Sequence, residues 1–193
     1  HALNQKAVAR RYAKSIGKKY EELNLIVVHL GGGISVGAHR KGLVIDVNNA
    51  LNGEGPISPE RAGTVPSEAL ATLCFSGKYT LNEVKKMLHG KAGLAAYLGT
   101  SDMITIEEKA IEGKEPYKTL VAAMDYTVAK EIGAMFVALK GQCDAIILTG
   151  GIAYSDYCVA DIKEQIEYLC KVVVLPGENE MESLAENAFG ALT

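Results

Sequence analysis

Apolar residues follow two different patterns along this chain. Five short runs rich in aliphatic and β-branched residues predict strands, at 25–30, 34–39, 43–47, 144–148 and 171–175. The first and fourth runs are almost continuously apolar, which is typical of strands buried on both faces. The first three runs are separated by very short turns, so they predict a three-stranded meander.

Longer segments have apolar residues at helical spacing. They predict helices at 3–23, 67–75, 81–88, 105–112, 116–140, 155–170 and 180–192. The resulting order is three strands, several helices, and then strand, helix, strand, helix. This order predicts an α/β fold with a mixed five-stranded sheet and helices on both faces, the ribonuclease-H-like arrangement.

Composition and charge argue against a nucleic-acid-binding protein and against a membrane-spanning one. The 193 residues suffice for one domain, with 48% hydrophobic and 22% charged residues and a formal net charge of −3. This charge gives no broad basic surface, so no nucleic-acid partner is expected. No apolar stretch approaches the roughly 18 residues of a membrane helix. The four cysteines lie in apolar segments without metal-type spacing, which favours buried free thiols in a reducing cytoplasm.

Two glycine segments follow predicted buried strands. Gly31, Gly32 and Gly33 come after the first strand, and Thr149-Gly150-Gly151 comes after the fourth. Ligands of α/β proteins collect beyond the carboxyl ends of strands, so the two segments together favour a nucleotide cleft over simple turns. Neither segment has the pattern of a Walker P-loop or a Rossmann fingerprint. The Gly-, Pro- and Asn-rich stretch 48–66 is long for a connection and predicts a functional loop.

A wider set of segments resembles the acetate kinase family, of the actin, sugar kinase and heat-shock-protein superfamily, and within it the butyrate kinase branch. The segments are NLIVVHLGGGISVGAH, GLVIDVNNALNGEGPISPERAG, GKAGLAAYLGTSD, KEIGAM and DAIILTGGIAYS. The resemblance implies reversible phosphoryl transfer from ATP to butanoate or a branched short-chain fatty acid, with ATP/ADP and Mg²⁺. Acetate or propionate kinase is an alternative, although that branch usually has Asn where this chain has Gly32. A non-catalytic nucleotide-binding module is another.

The resemblance also implies catalytic roles. Arg61 matches an arginine that neutralises charge on the transferred phosphoryl group, and His29 lies beside the phosphate loop. His1 matches the first histidine of a family segment whose second histidine is replaced here by Gln5. Phosphoryl transfer needs mainly positioning and positive charge, which these residues would supply. His39 and His89 are expected at the surface.

The remaining site residues implied by the resemblance bind nucleotide and metal. The nucleotide-binding set is Gly31, Gly32, Gly33, Thr149, Gly150, Gly151 and Ile152. A side chain at either Gly150 or Gly151 is expected to collide with the nucleotide. Glu180 lies near the place of an acidic residue on the magnesium side, with Glu178 and Glu182 as alternatives.

The domain prediction also comes from the resemblance. Residues 1–193 are expected to form the carboxy-terminal nucleotide-binding domain of a two-domain kinase, with a helical insertion at about 66–141 and an amino-terminal domain absent from this chain. The chain opens on His1 directly in a helical pattern, which agrees with a piece of a longer protein, so it is expected to be catalytically incomplete. The implied partners are a short-chain carboxylate, its acyl phosphate and further copies of the protein in a homo-oligomer.

Overall fold

The computed structural model describes residues 2–177. Within that range the chain forms seven α-helices and five strands. The helices are α1 (Ala2–Ser15), α2 (Ser67–Cys74), α3 (Leu81–Leu88), α4 (Leu94–Leu98), α5 (Met103–Ile111), α6 (Tyr117–Ala138) and α7 (Asp156–Ile166). The strands are β1 (Asn24–Leu30), β2 (Ile34–Arg40), β3 (Leu43–Val47), β4 (Ala145–Gly150) and β5 (Val172–Pro176). The helix predicted at 180–192 lies outside the described residues.

The five strands form one mixed sheet in the order β3-β2-β1-β4-β5. Strands β1 and β4 are parallel, as are β4 and β5, whereas β2 and β3 are antiparallel. Leu25 pairs with Ala145 and His29 pairs with Thr149, so β1 and β4 end at the same level. The predicted mixed five-stranded sheet is therefore confirmed, and its topology brings two of the predicted site residues side by side.

The sheet is buried because its central strands are apolar on both faces. Every residue of β1 and β4 is buried. On one face, Leu25 and Val27 pack with Ile147 against Val8 and Tyr12 of α1. The alternate residues Ile26, Val28, Ile146 and Leu148 are completely inaccessible to solvent as well. Both faces of the sheet are thus covered, which explains the near-continuous apolar runs in the sequence.

The first helix is shorter than its sequence pattern predicts. The helix predicted over 3–23 ends at Ser15, and a single 3₁₀ turn follows at Tyr20–Glu22. Gly17 has φ +69°, a left-handed conformation that terminates helices. The prediction is wrong beyond Ser15. The helical spacing of apolar residues continues past Gly17, but the backbone there is no longer helical.

The chain divides into two compact units. The first contains the described residues within 1–30, 35–47 and 132–193, and the second contains 31–34 and 48–131. The first unit carries the sheet and α7, whereas the second carries the glycine segment after β1 and helices α2 to α5. The second unit begins earlier in the sequence than the helical insertion predicted at about 66–141. Helix α4 has no counterpart among the predicted helices.

Several predictions of burial are wrong. His39 is expected at the surface but has no exposed area. It lies on β2, where the first six residues are buried. Cys158 is buried, but Cys74 is exposed at the end of α2, a helix with no buried residue. Cys143 and Cys170 are half-buried, so the prediction of four buried thiols holds only at Cys158. It fails most clearly at Cys74, since an apolar sequence can form a short helix that contributes nothing to a core.

No helix in residues 2–177 combines the length and apolarity needed to cross a membrane.

Candidate functional site

His29 lies at the end of β1 with only 5% of its area exposed. The side-chain nitrogen of Asn4, on α1, lies 3.0 Å from His29 Nδ1. The two atoms are within hydrogen-bond distance, and the imidazole tautomer determines which of them donates. Asn4 thereby fixes the orientation of the imidazole, which the sequence analysis did not anticipate.

Gln5 occupies the place where the related family segment has its second histidine. Its side chain donates to Ser35 Oγ at 3.0 Å and lies 3.0 Å from His39 Nε2 through Oε1. The hydroxyl of Tyr20 lies 2.7 Å from His39 Nδ1. Burial is the main cause that lowers the pKa of His39 to about 4, with a smaller contribution from Lys6. Gln5 is thus part of a buried, neutral hydrogen-bond network.

The glycines after β4 have different surroundings. Gly150 has φ +95°, and a Cβ there would lie 2.4 Å from the Leu30 carbonyl oxygen. A Cβ at Gly151 would meet no atom within 4 Å. Gly150 is therefore required by the packing of the chain against itself, whereas Gly151 faces open space. The sequence analysis attributed both glycines to the nucleotide.

The flanking residues of this segment face the interior. Thr149 is completely buried and donates from Oγ1 to the Gly177 carbonyl at 3.3 Å. Ile152 is 6% exposed. Their side chains contribute to the shape of the strand end, and the backbone around Gly151 is the exposed part of the motif.

In the second unit, the glycine segment binds the loop that contains Arg61. The Gly32 carbonyl accepts hydrogen bonds from Ser58 Oγ at 2.7 Å and from the Glu60 N–H at 3.0 Å. The Arg61 N–H in turn donates to Ser58 Oγ at 3.1 Å. None of Gly31, Gly32 and Gly33 has a positive φ, so freedom of the backbone torsion does not explain this run of glycines. The structure thus brings together Gly32 and Arg61, two residues far apart in the sequence.

The start of α4 fixes the other side of the Arg61 loop. The Leu94 N–H donates to the Ser58 carbonyl at 3.0 Å. Gly93 has φ +62°, and a Cβ there would lie 1.9 Å from the Ser58 carbonyl oxygen and 2.5 Å from that of Arg61. Arg61 also forms an isolated β-bridge with His89, which is half-buried. These contacts fix the backbone of Arg61 on both sides.

The guanidinium of Arg61 is only partly engaged by the protein. Nη1 lies 3.4 Å from Glu60 Oε2 and 3.3 Å from the Glu60 carbonyl oxygen. Nε is buried and has no hydrogen-bond partner among the described residues. A buried N–H without an acceptor is costly, and the exposed 20% of the Arg61 side chain can bind a phosphate or carboxylate oxygen. The arrangement fits an anionic ligand at Arg61.

The loop 48–66 is held by hydrogen bonds within itself and to the first residue of β2. Asn48 Nδ2 donates to the carbonyls of Ile34 at 3.0 Å and Glu54 at 2.8 Å. The Thr64 N–H donates to the Gly55 carbonyl at 2.9 Å. This long stretch without a strand or α-helix therefore has a defined conformation that presents Arg61.

The metal prediction cannot be placed on the described residues. His1 and Glu180, with the alternatives Glu178 and Glu182, lie outside them. Within 2–177, no group of three or more His, Cys, Asp or Glu side chains is arranged to hold a metal ion. Residues 2–177 therefore do not form a complete Mg²⁺ site by themselves. Proteins commonly bind Mg²⁺ with only one or two carboxylates together with the phosphates of a nucleotide.

Sequence reasoning missed the residues that hold the predicted ones in place. Asn4 contacts His29, Ser58 and Glu60 contact Gly32, and Gly93 makes room for the Arg61 loop. The serine and glutamate stand in the same PISPERAG segment as Arg61, so proximity in the sequence is the one signal that could have indicated them.

Known proteins resemble the chain over its whole length. It is 73% identical over 192 residues to a protein from Phocaeicola vulgatus named "Probable butyrate kinase", and 56% identical to one of the same name from Bacteroides thetaiotaomicron. Each alignment covers 100% of this chain and 54% of the relative, so the chain spans about half the length of these curated relatives.

The fold has a close counterpart among solved structures. The crystal structure of an acetate kinase from Porphyromonas gingivalis superposes with a TM-score of 0.90 at 22% identity, covering 100% of this chain and 55% of that one. The actin-like, ribonuclease-H-like fold class predicted from the sequence is thus confirmed. The profile of the acetokinase family matches residues 1–189. From that match and the two close relatives, the chain belongs to the acetokinase family.

Proposed function

We propose that this chain is the carboxy-terminal, nucleotide-binding part of a kinase that transfers a phosphoryl group reversibly between ATP and a short-chain carboxylate. Butanoate, or a branched short-chain fatty acid, is the proposed substrate, because the two close relatives are named as butyrate kinases. The observation that carries the proposal is the partly exposed guanidinium of Arg61, whose Nε has no acceptor within residues 2–177 and which stands in a loop bound to Gly32.

The proposed reaction is a direct in-line transfer. A carboxylate oxygen of the substrate attacks the γ-phosphorus of ATP, the new P–O bond forms, and the bond to the ADP oxygen breaks. The substrate is itself the nucleophile, so the protein needs no covalent intermediate. Catalysis then depends on positioning and on stabilising the charge of the equatorial oxygens.

Each site residue has a role in that scheme. The Arg61 guanidinium neutralises charge on the transferred group, and the His29 imidazole binds a phosphate oxygen. The backbone of Gly31, Gly32 and Gly33 approaches the phosphates, while the open space at Gly151 accommodates the nucleoside. Mg²⁺ would offset phosphate charge when bound.

Other parts of the proposal rest on the family alone. His1 would act at the reacting phosphoryl group and Glu180 near the metal. A second domain would supply the rest of the active site, and the whole enzyme would form a homo-oligomer in the cytoplasm. The four free cysteines agree with that reducing compartment.

The proposal is tested in the full-length protein with Arg61→Ala. We expect kcat for acyl-phosphate formation to fall about 10³-fold, as for other arginines that stabilise transferred phosphoryl groups. The affinity for ADP should change by less than about tenfold, since Arg61 acts on the group being transferred. The matched control is Arg11→Ala, which removes an exposed arginine of α1 and should retain kcat.

Two outcomes would contradict the proposal. A wild-type protein that binds nucleotide but forms no acyl phosphate from butanoate, isobutanoate, propanoate or acetate would be a non-catalytic nucleotide-binding module. An Arg61→Ala variant with wild-type kcat would remove Arg61 from the site. Comparing kcat/KM among the four acids determines the substrate class.

A further inference from the structure

Glu60, the neighbour of Arg61 in the sequence, forms hydrogen bonds through both its backbone and its carboxylate. Its N–H donates to the Gly32 carbonyl, and its own carbonyl accepts from the Gly90 N–H at 2.9 Å. Its carboxylate contacts two side chains, Arg61 through Oε2 at 3.4 Å and Ser101 through Oε1 at 3.3 Å. The backbone and both carboxylate oxygens of Glu60 are thus engaged, although 41% of its side chain is exposed.

The same carboxylate occupies the space above Gly32. A Cβ at Gly32 would lie 3.1 Å from Glu60 Oε2 and 3.3 Å from Glu60 Cδ. These distances are shorter than an ordinary van der Waals contact, so a side chain at position 32 would displace the carboxylate. Gly32 is therefore the residue type that lets Glu60 reach Arg61.

The contact with Glu60 engages one part of the guanidinium, while 20% of the Arg61 side chain stays exposed. Nη1 faces the carboxylate and the Glu60 carbonyl, while Nε, on another edge of the planar group, is buried and has no acceptor among the described residues. A guanidinium binds anions through two parallel N–H groups only when its plane is correctly turned. The carboxylate restricts that rotation.

We propose that Glu60 is a positioning residue, which orients the Arg61 guanidinium so that its exposed part faces the phosphoryl oxygens, and that Gly32 is required to make room for it. The inference rests on the proposed function, because it concerns the orientation of Arg61 during phosphoryl transfer. The negative charge of Glu60 weakens the electrostatic attraction of Arg61 for an anionic ligand. We therefore expect Glu60 to act by orienting the guanidinium, and its loss to lower kcat.

The first test compares Glu60→Ala with Glu60→Gln in the full-length enzyme. The glutamine amide oxygen still accepts a hydrogen bond from Nη1, whereas alanine removes every side-chain contact. We expect kcat to fall about 10- to 100-fold in Glu60→Ala and less than about fivefold in Glu60→Gln, with the KM for nucleotide nearly unchanged in both. Ser101→Ala, which removes the other carboxylate contact, is the control and should keep kcat within about twofold.

The second test asks whether Glu60 acts through Arg61. In an Arg61→Ala background, Glu60→Ala should lower the residual kcat by less than twofold, because the group that it orients is gone. A Gly32→Ala variant should lower kcat as Glu60→Ala does, and the double variant should be no worse than either single one. If the residual activity of Arg61→Ala is below detection, the test rests on the other variants. Gly32→Ala and Glu60→Ala should then lower kcat equally, and Glu60→Gln should retain most of it.

The outcomes separate this inference from the proposed function. If Arg61→Ala is inactive while Glu60→Ala keeps wild-type kcat, the positioning role is wrong and the proposed function stands. Equal losses from Glu60→Ala and Ser101→Ala, or a change in nucleotide KM alone, would mean that Glu60 only supports the loop at Ser101. A wild-type enzyme without transferase activity, or a fully active Arg61→Ala, contradicts the proposed function itself.

Discussion

Gly150 and Gly32 both lie in glycine segments that follow buried strands, but different contacts restrict them. At Gly150, in the first unit, the obstacle to a side chain is the backbone of Leu30 at 2.4 Å, and φ is +95°. At Gly32, in the second unit, the obstacle is the carboxylate of Glu60 at 3.1 Å, and φ is not positive. A backbone atom of a buried strand cannot move aside, whereas a half-exposed side chain can rotate.

The difference shows that two similar motifs in a sequence can have unrelated physical causes. Gly150 is required for the chain to fold, since its neighbour is part of the sheet. On the positioning role proposed for Glu60, Gly32 is instead required for the arrangement of charged groups that acts on a bound ligand. The comparison therefore predicts that substitutions at Gly150 act on stability and that substitutions at Gly32 act on catalysis.

The largest effect is expected for Gly150→Ala. Its strained backbone and the clash with Leu30 should together lower the free energy of unfolding by about 4 kcal/mol. Gly151→Ala is the matched control, because Gly151 has helical torsions and no atom near a Cβ, so its change should stay within about 0.5 kcal/mol. Urea unfolding of both variants checks the prediction, and equal stability of the two would refute a packing role for Gly150.

A smaller effect is expected from acid, which acts on the first unit through His39. The pKa of this buried ring is lowered to about 4 from an ordinary value of 6.5. Above pH 6.5 the ring is neutral in both states, whereas between pH 6.5 and 4 only the unfolded chain takes up the proton. Stability should therefore decrease as the pH falls through that window, by up to roughly 3 kcal/mol.

The pH prediction is checked by unfolding the wild type and His39→Gln at several pH values. The variant lacks the titrating ring, so its stability should vary less between pH 6.5 and 4. Hydrogen exchange adds the regional readout: β1 and β2 should lose protection before α3 and α5 do. If the free energy of unfolding has the same pH dependence in both proteins, His39 is not the titrating group. If α3 loses protection before β1 and β2, acid does not act first on the first unit.

The smallest effect on stability is expected for Gly32→Ala. The Glu60 carboxylate can rotate away from the new Cβ, so the free energy of unfolding should change by less than about 1 kcal/mol. Thermal unfolding beside Gly150→Ala measures the contrast. If Gly32→Ala unfolds as readily as Gly150→Ala, the distinction between a folding glycine and a catalytic glycine fails.

Local pattern was sufficient for much of the secondary structure. The strand at Leu43–Val47 and the helix at Leu81–Leu88 have the predicted bounds, because alternating or helical spacing and adjacent turn residues agree there. Helix α4 was missed because five residues are too few for a periodic pattern. The prediction for 3–23 failed where Gly17 interrupts a spacing that otherwise continues.

The candidate site was predictable in part. The glycine segments and Arg61 were indicated by their place after strands and by the family resemblance, and their roles in catalysis stay predictions. The contacts of Glu60 with Gly32 and Ser101, and of Gly93 with Ser58 and Arg61, were not predictable, because they join segments that only the folded chain brings together. His39 looked like a surface histidine because its partners Tyr20 and Gln5 are remote in the sequence.

The sequence by itself determined the order of strands and helices, the two glycine segments and the likeness to a family. Those properties depend on local spacing and on residue types, which can be read along the chain. Only the tertiary structure decided which glycine is restricted by backbone and which by a carboxylate, and which histidine is buried. Those properties depend on distances between remote segments, and the packing of the chain sets those distances.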